Sequence, residues 1–429
     1  MIMNNNSEGK MFDIKKFASE HSETLKKIYG SNTAGMTERI ARAVESFKEI
    51  YGDGEIAVFS VPGRSEICGN HTDHNRGEVF AASIDLDVLA IARPTKDGII
   101  RVKSEGFPEC RVDTTDLTPK KEDEGNSDAL IRGVCDGFIR RGLKITGFDC
   151  YTTSRVLGGS GLSSSAAFED TIGTILSHFS NGGSVDYMTI SQIAQYAENV
   201  HFGKPCGLMD QVACACGGFV HIDFADPASP VCTRIPFDIE AAGYTLCIVA
   251  TGGSHADLTD DYAAVPAEMK KVASYFGKEV LRDVSREEIL KNVPALRTFA
   301  GDRAILRALH FISENERVRD MQKALDAGDI DAFINVVNAS GRSSAMLLQN
   351  YFAPKAPAEQ GITLAYAVAR ELLCGRGAVR VHGGGFAGTI QAFVPNDMLE
   401  SFTAGMEAAF GKGSVTSLFI RPLGAIKIG

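Results

Sequence analysis

Between Gly158 and Ala167 the chain reads G-G-S-G-L-S-S-S-A-A, three glycines within four residues followed by three serines and good helix formers. Gly158, Gly159 and Gly161 allow backbone conformations closed to other residues and let main-chain N–H groups approach a ligand. Ser160, Ser163, Ser164 and Ser165 add hydroxyls around Leu162. From Ala166 the apolar positions Phe168, Ile172, Ile175 and Phe179 keep a helical spacing, and the N-terminus of such a helix attracts anions. A serine-capped helix after a flexible turn explains part of the pattern. The density of glycine and serine exceeds what capping needs and points to a phosphate cradle. It is not a Walker A loop, because the Gly-Lys pairs at Gly9, Gly203, Gly277 and Gly411 are followed by Met11, Pro205, Glu279 and Gly413 rather than Ser or Thr.

Two further stretches are rich in reactive groups. Gly63 to Gly77 reads G-R-S-E-I-C-G-N-H-T-D-H-N-R-G and packs Arg64, Glu66, Asn70, His71, Asp73, His74 and Asn75 between two apolar runs, more polarity than a connecting turn needs. His71, Asp73 and His74 read either as metal ligands or as partners of a hydroxyl-rich ligand. No third separated ligand is evident, which favours direct hydrogen bonding. The other stretch, Cys206-Gly207-Leu208-Met209-Asp210-Gln211, places one carboxylate beside a glycine.

These residues need a scaffold, and 429 residues exceed the usual size of one hydrophobic core, so two domains sharing a cleft are expected. The 44 % hydrophobic and 23 % charged fractions are those of an ordinary globular protein. Ten scattered cysteines form no structural zinc spacing and read as reduced thiols. The first ten residues lack the apolar core of a signal peptide, and no run reaches the roughly 18–20 apolar residues of a membrane span, so a cytoplasmic location is expected. A net charge of -10 argues against nucleic acid and anionic lipid as partners. Small-molecule chemistry is the class left in favour.

Along the chain, Met1 to Gly9 is polar and frayed. Thr37 reads as an N-cap for Ile40, Val44 and Phe47, with a stop at Gly52. Ile56 to Val61 reads as a strand ending at Pro62-Gly63. Val79 to Arg93 reads as extended, and Asp97-Gly98 suggests a hairpin into Ile99 to Lys103. Residues 118–128 form a charged loop, 129–141 a helix and 148–155 a strand. Ile190 to Val200 is a helix stopped by Gly203-Lys204-Pro205. Strands follow at 219–224 and 244–250, then a mostly helical stretch from 263 to 373. Ala378 to His382 enters a second glycine run, Gly383 to Gly385. Beyond it lie a strand at 389–394, a helix at 398–410 and a closing strand pair at 415–428 bent at Pro422. A soft boundary falls near 238.

Taken together, the three motifs resemble the galactokinases, members of the GHMP small-molecule kinase family. That family carries an early G-R-V-N-L-I-G-E-H-T-D-Y-N-like signature, a P-x-G-x-G-L-S-S-S-A phosphate loop, a C-G-I-M-D-Q segment and a late G-x-G-F-G-G motif. All four stand here in order, the last as Gly383-Gly384-Gly385-Phe386-Ala387-Gly388. The resemblance implies an α+β, two-domain GHMP kinase fold with the active site in the interdomain cleft. It implies a tail at 1–10, an N-terminal domain at 11–238 completed by strands at 415–428, and a C-terminal domain at 239–414. It also implies transfer of the ATP γ-phosphoryl group to the anomeric hydroxyl of α-D-galactose.

Carried over position by position, the resemblance makes Asp210 and Arg64 the catalytic pair, with Asp210 accepting the proton and Arg64 binding phosphate oxygens. It puts ATP on Gly158, Gly159, Ser160, Gly161, Leu162, Ser163, Ser164 and Ser165. It gives Mg²⁺ to Ser165 and Glu198, and the sugar to Asn70, His71, Asp73, Gly207 and Tyr262. A packed tyrosine with a satisfied hydroxyl is almost as good an account of Tyr262. The departures are Asn70 for the family Glu, His74 for Tyr, Leu157 for the loop proline, and His382 and Ala387 in the late motif. Asn70 keeps open a sugar 1-kinase acting on N-acetylgalactosamine, L-arabinose or a uronic acid. A noncatalytic galactose and ATP sensor is the other alternative. The expected partners are a monosaccharide and ATP, with a monomer favoured.

Overall fold

Alternating side chains along residues 57–94 decide where the helices of the first half pack. The computed structural model describes residues 12–156, 161–204, 206–253 and 258–429. The strands of the first half are β1 (Ala57–Cys68), β2 (Glu78–Pro94), β3 (Ile99–Ser104), β4 (Glu109–Asp113), β5 (Phe148–Ser154), β6 (Phe219–Asp223) and β7 (Val231–Ile235). Phe59, Ala90 and Ala92 face helices Ser127–Arg140, Ser164–Asn181 and Tyr187–Tyr196. Their neighbours Val58, Leu89 and Ile91 face helices Ser22–Tyr29 and Thr33–Tyr51. That is the period-two pattern of a sheet covered on both faces.

The second half supplies β8 (Tyr244–Ala250), β9 (Ala378–Val381), β10 (Thr389–Pro395) and β11 (Val415–Leu418), which form a four-stranded sheet in the order β11-β8-β10-β9. The last strand, β12 (Ile426–Lys427), returns to the first sheet and pairs with β1 through Phe59 and Ser60. The closing pair expected at 415–428 is therefore divided between two sheets. A chain of rings crosses from one sheet to the other, with Phe80 to Phe219 at 5.8 Å, Phe219 to Phe333 at 6.1 Å and Phe333 to Phe393 at 5.0 Å. The architecture is α+β with two domains.

Three local expectations change. Helix Thr33–Tyr51 starts four residues before Thr37, whose hydroxyl donates to the Thr33 carbonyl at 3.0 Å inside the helix, a common use of threonine there. Strand β1 does not stop at Pro62-Gly63. It runs through them with a register shift between Pro62 and Arg64, so this Pro-Gly is a bulge. The hairpin expected after Asp97-Gly98 does not pair with β2. Instead β5 lies between β2 and β3, and β3 pairs antiparallel with β4.

One buried carboxylate ties the chain ends to the sheet. Asp87, on β2, accepts from Tyr29 Oη at 2.7 Å, from Arg39 Nη1 at 2.5 Å and from the Ser60 hydroxyl, and Arg421 Nη1 lies 3.8 Å away. Burial opposes its charge, but Arg39, Arg421 and Ser60 outweigh burial and hold the carboxyl below its usual range. Its contribution to stability is fully present above the unfolded value of about 3.9 and fades as pH falls through the lower folded value. Asp87→Ala leaves Arg39 and Arg421 buried without their anion and should cost about 3–5 kcal/mol, read as a lower midpoint in urea at neutral pH. A midpoint unchanged from wild type would show that the cluster contributes nothing.

Candidate active site

The bulge in β1 brings the first motif to the glycine-rich turn. At Gly63 an added Cβ would lie 2.7 Å from the Leu162 carbonyl oxygen, so only glycine lets the strand approach this closely. The next residue exploits the contact, since Arg64 N donates to that Leu162 carbonyl at 3.1 Å. The Arg64 side chain is buried and donates to the Gly161 carbonyl through Nη1, and to Asp210 Oδ1 through Nε at 2.8 Å and Nη2 at 2.7 Å. Asp210 sits in the first turn of helix Met209–Cys216, and its Oδ2 accepts from Ser163 Oγ at 2.6 Å. Burial works to raise the Asp210 pKa, but Arg64 and Ser163 overcome it and hold the carboxylate below its usual range.

Ser163 caps helix Ser164–Asn181 with a left-handed backbone, φ 64°, and no acidic residue neutralises that helix's first turn. Its open N–H groups and dipole make an anion site beside Arg64. Gly158, Gly159 and Ser160, the rest of the expected cradle, lie outside the described residues. Ser164 and Ser165 line a cavity of about 260 Å³ together with Arg64, Ser163, Lys204 and Asp210. Facing them are Tyr262, His382 and the Gly383-Gly384 backbone from the second half of the chain.

Glu198 reaches this wall by a departure from α-helical geometry. Residues Ala197–Phe202 form a π-turn closed at Gly203, φ 81°, with Gly203 and Lys204 backbone N–H groups both donating to the Glu198 carbonyl. Glu198 Oε1 accepts from Ser165 Oγ at 3.2 Å and Lys204 Nζ at 2.9 Å, and Oε2 from Gln211 Nε2 at 3.0 Å. Gln211 also reaches Glu169 Oε2 at 3.3 Å. Burial, reinforced by the Glu198 charge, pushes the Glu169 carboxyl well up. Ser165 Oγ, on the cavity wall, and the buried Glu198 Oε1 that accepts from it are hard oxygens of the kind that suit Mg²⁺, which takes one or two protein ligands beside phosphates and water.

Of the residues expected around a sugar, Tyr262 lines the cavity, whereas Asn70, His71, Asp73 and Gly207 do not. The Asp73 carboxylate faces Gly207, where a Cβ would stand 2.3 Å from its Oδ2. His71 donates through Nε2 to the Gly384 carbonyl at 2.9 Å, and burial pushes its pKa down to about 4, leaving it neutral. Tyr262 donates to the Gly385 carbonyl at 2.9 Å, with its ring against Phe386 and lining the cavity. Asn70 is fully buried and is not brought to the cavity. Its amide donates to Glu66 at 3.0 Å and to the Gly383 carbonyl at 2.8 Å, and its oxygen accepts from Asn350 at 2.7 Å. Where the galactokinase signature runs Asn then Glu, this chain runs Glu66 then Asn70. The exchanged carboxylate pairs with buried Arg380 at 2.8 Å. Among the described residues no group of three or more His, Cys, Asp or Glu side chains is arranged to hold a metal.

Residues that the motifs did not single out for a role are Lys204, Gln211 and Glu169. Lys204 stood in the sequence only as part of a helix stop, and its reach into the cavity depends on the π-turn, which leaves no mark in the periodicity.

Residues 45–94 match a family model described as the galactokinase galactose-binding signature, and residues 129–218 match the GHMP kinases N terminal domain. A galactokinase of Streptomyces coelicolor is 32 % identical over 380 residues, covering 87 % of this chain and 94 % of its own length. A galactokinase of Lactococcus lactis subsp. lactis is 28 % identical over 397 residues, covering 90 % and 96 %. The crystal structure of Lactococcus lactis galactokinase complexed with galactose superposes with a TM-score of 0.76 at 25 % identity, over 90 % of this chain and 99 % of that one. A mevalonate kinase crystal structure shares the fold at a TM-score of 0.60 and 12 % identity, over 85 % and 98 %.

Removing the cation isolates its effect on Asp210. In Arg64→Met the carboxyl loses its strongest charge partner while burial still acts to raise the pKa, so its titration should move up. A ¹³C-detected pH titration of Asp210 reads this directly, and an unmoved titration would mean that Arg64 does not control the carboxylate.

Proposed function

This chain belongs to the galactokinase family of the GHMP kinases, and from that premise we propose that it converts ATP and α-D-galactose to ADP and α-D-galactose 1-phosphate. The observation that carries the reading is the Asp210 carboxylate, fixed by Arg64 and Ser163 on the cavity wall beside the open N-terminus of helix Ser164–Asn181. A nucleotide triphosphate would lie along the Gly158–Ser165 segment, its terminal phosphoryl group toward Arg64 and Asp210. The sugar would sit between Asp210 and the wall of Tyr262, Gly383 and Gly384, with Asp73, His71 and Gly207 nearby. Ser165 and Glu198 would hold Mg²⁺, which supplies charge neutralisation to the phosphates.

Asp210 is ionised at neutral pH and so is free to accept a proton, yet its lowered pKa makes it a weak base. A loose phosphoryl-transfer transition state tolerates this. The sugar hydroxyl becomes acidic only as its bond to phosphorus forms, so the proton leaves late, toward a carboxylate already aligned. Arg64 serves both sides of the step, holding Asp210 in place and opposing the charge that develops on the transferring group. The reaction is taken to be cytoplasmic. All ten cysteines are free, and no described helix is long and apolar enough to cross a membrane.

The Glu66 and Asn70 exchange favours a second reading, a 1-kinase for a sugar that differs from galactose away from the anomeric carbon. The Glu66 carboxylate lies against Arg380 and the Asn70 amide has three partners, so both side chains are engaged within the protein. Phosphorylation rates across a dozen monosaccharides with ATP separate the two readings. Galactose should give the highest kcat/KM, and a far higher value for N-acetylgalactosamine, L-arabinose or a uronic acid would replace it as substrate.

Asp210→Asn should lower kcat by about a thousandfold or more while ATP affinity stays within about twofold, because the side chain serves the acceptor rather than the nucleotide. Calorimetric ATP titration and a coupled ADP assay read the two quantities, and an unchanged rate would remove Asp210 from the chemistry.

A further inference from the structure

Lys204 lines the same cavity as the serine run, although it lies forty residues further along the chain from Ser164. Its ammonium is 2.9 Å from Glu198 Oε1, the oxygen that also accepts from Ser165 Oγ at 3.2 Å. The two members of this ion pair differ in freedom. The Glu198 side chain is 3 % exposed and fixed at its other oxygen by Gln211, whereas the Lys204 side chain is 61 % exposed. An ion pair with one partner in solvent contributes about 0–1 kcal/mol to folding, so stability is a poor account of Lys204. The backbone is built to bring both residues to one point, since the Lys204 N–H donates to the Glu198 carbonyl at 3.1 Å and closes the π-turn.

Charge at the cavity wall gives the ammonium a task. Arg64 directs Nε and Nη2 to Asp210 and Nη1 to the Gly161 carbonyl, so its guanidinium is anchored in place. Among the described residues on this wall, Lys204 is the cation on a long side chain open to solvent, resting on Glu198. A terminal phosphate entering between Ser165 and Asp210 would meet the ammonium within the reach of that side chain.

We propose that Lys204 is a further catalytic residue of the phosphoryl transfer, an ammonium that rests on Glu198 in the free protein and turns onto the terminal phosphate when a nucleotide triphosphate enters. Leaving Glu198 frees the carboxylate oxygen that it shares with Ser165, so the same movement that brings charge to the phosphate opens the divalent cation's proposed ligand. Contact with the phosphate does not depend on the metal, which makes the ammonium's part measurable alone. The inference rests on the kinase reading above for its catalytic half only.

The test compares wild type, Lys204→Met and Lys204→Arg by calorimetric titration with ATP in the presence of EDTA, and by steady-state kinetics with MgATP and galactose. Lys204→Met should weaken metal-free ATP binding about tenfold and lower kcat about ten- to a hundredfold, with the sugar KM within about twofold. Lys204→Arg should recover most of the ATP affinity. Thermal melting within about 2 °C of wild type shows that the ion pair is not structural. Equal ATP affinity in wild type and Lys204→Met would overturn the proposal and leave Lys204 as a surface partner of Glu198. A preference of the wild type for another sugar would overturn only the acceptor, because the ATP titration contains none.

Discussion

A guanidinium buried on a strand is the constraint from which the active-site geometry follows. Arg64 is 6 % exposed, and an unpaired charge at that depth is untenable. Its donors are satisfied by one carboxylate and one carbonyl, Asp210 from helix Met209–Cys216 and Gly161 from the turn before helix Ser164–Asn181. Burial alone would lower its pKa, and Asp210 keeps it high. Three segments remote in sequence are thus held to one another by the need to keep a single cation paired. Ser163 completes the lock, taking a left-handed conformation that carries strain for a residue with a Cβ while its hydroxyl reaches Asp210. The strain is offset by a charge-assisted hydrogen bond and by the position it gives the helix N-terminus.

The opposite wall depends on a buried polar seam between the two halves of the chain. Glu66 on β1 holds Arg380 on β9, Asn70 joins Glu66 to the Gly383 carbonyl, and Asn350 reaches both Asn70 and the Gly384 carbonyl. Beside them Glu314 accepts from Gly69 N at 3.1 Å, from Cys68 Sγ at 3.3 Å and from Ser340 Oγ. Burial opposes its charge, but Arg317, His310 and Arg380 outweigh burial and hold it ionised. Buried pairs of this kind add little net stability against a well-packed apolar alternative, and removing one partner is costly. Their effect is geometric. They fix the carbonyls of Gly383 and Gly384 relative to the strand that carries Arg64.

What could be read from the sequence was local, and what could not was long-range. The serine-to-helix junction at 163–164 and the strands near 58–61, 79–93, 148–154 and 244–250 follow from periodicity and from residue type at the junctions. Pro62-Gly63 misleads because a bulge and a turn use the same residues, and only the approach of Leu162 decides between them. The insertion of β5 between β2 and β3 is likewise a tertiary choice. The π-turn at 197–202 depends on closure at Gly203 rather than on an apolar pattern, so neither Lys204 nor its contact with Glu198 was visible. Asn70 stood in the sequence as one of five departures from the family pattern. Its meaning lies in Glu66, four residues earlier, because the two side chains share a hydrogen bond.

The two walls differ in kind, and the difference bears on how each can change. On the wall that carries the serine run the charged groups are side chains, each set by another side chain: Asp210 by Arg64 and Ser163, Glu198 by Gln211, Ser165 and Lys204. A single substitution there alters charge at the proposed point of reaction. On the other side the surface is largely backbone, Gly383 and Gly384 fixed from behind by His71, Asn70 and Asn350. Substitution behind that surface shifts its shape without adding or removing a reactive group. Exchanging Glu66 and Asn70 is a change of this second sort, keeping a carboxylate in the seam for Arg380 while altering what supports the carbonyls. Phosphoryl-transfer chemistry demands fixed charges, whereas acceptor choice depends on the contour opposite them, so the second wall can vary while the first stays as it is.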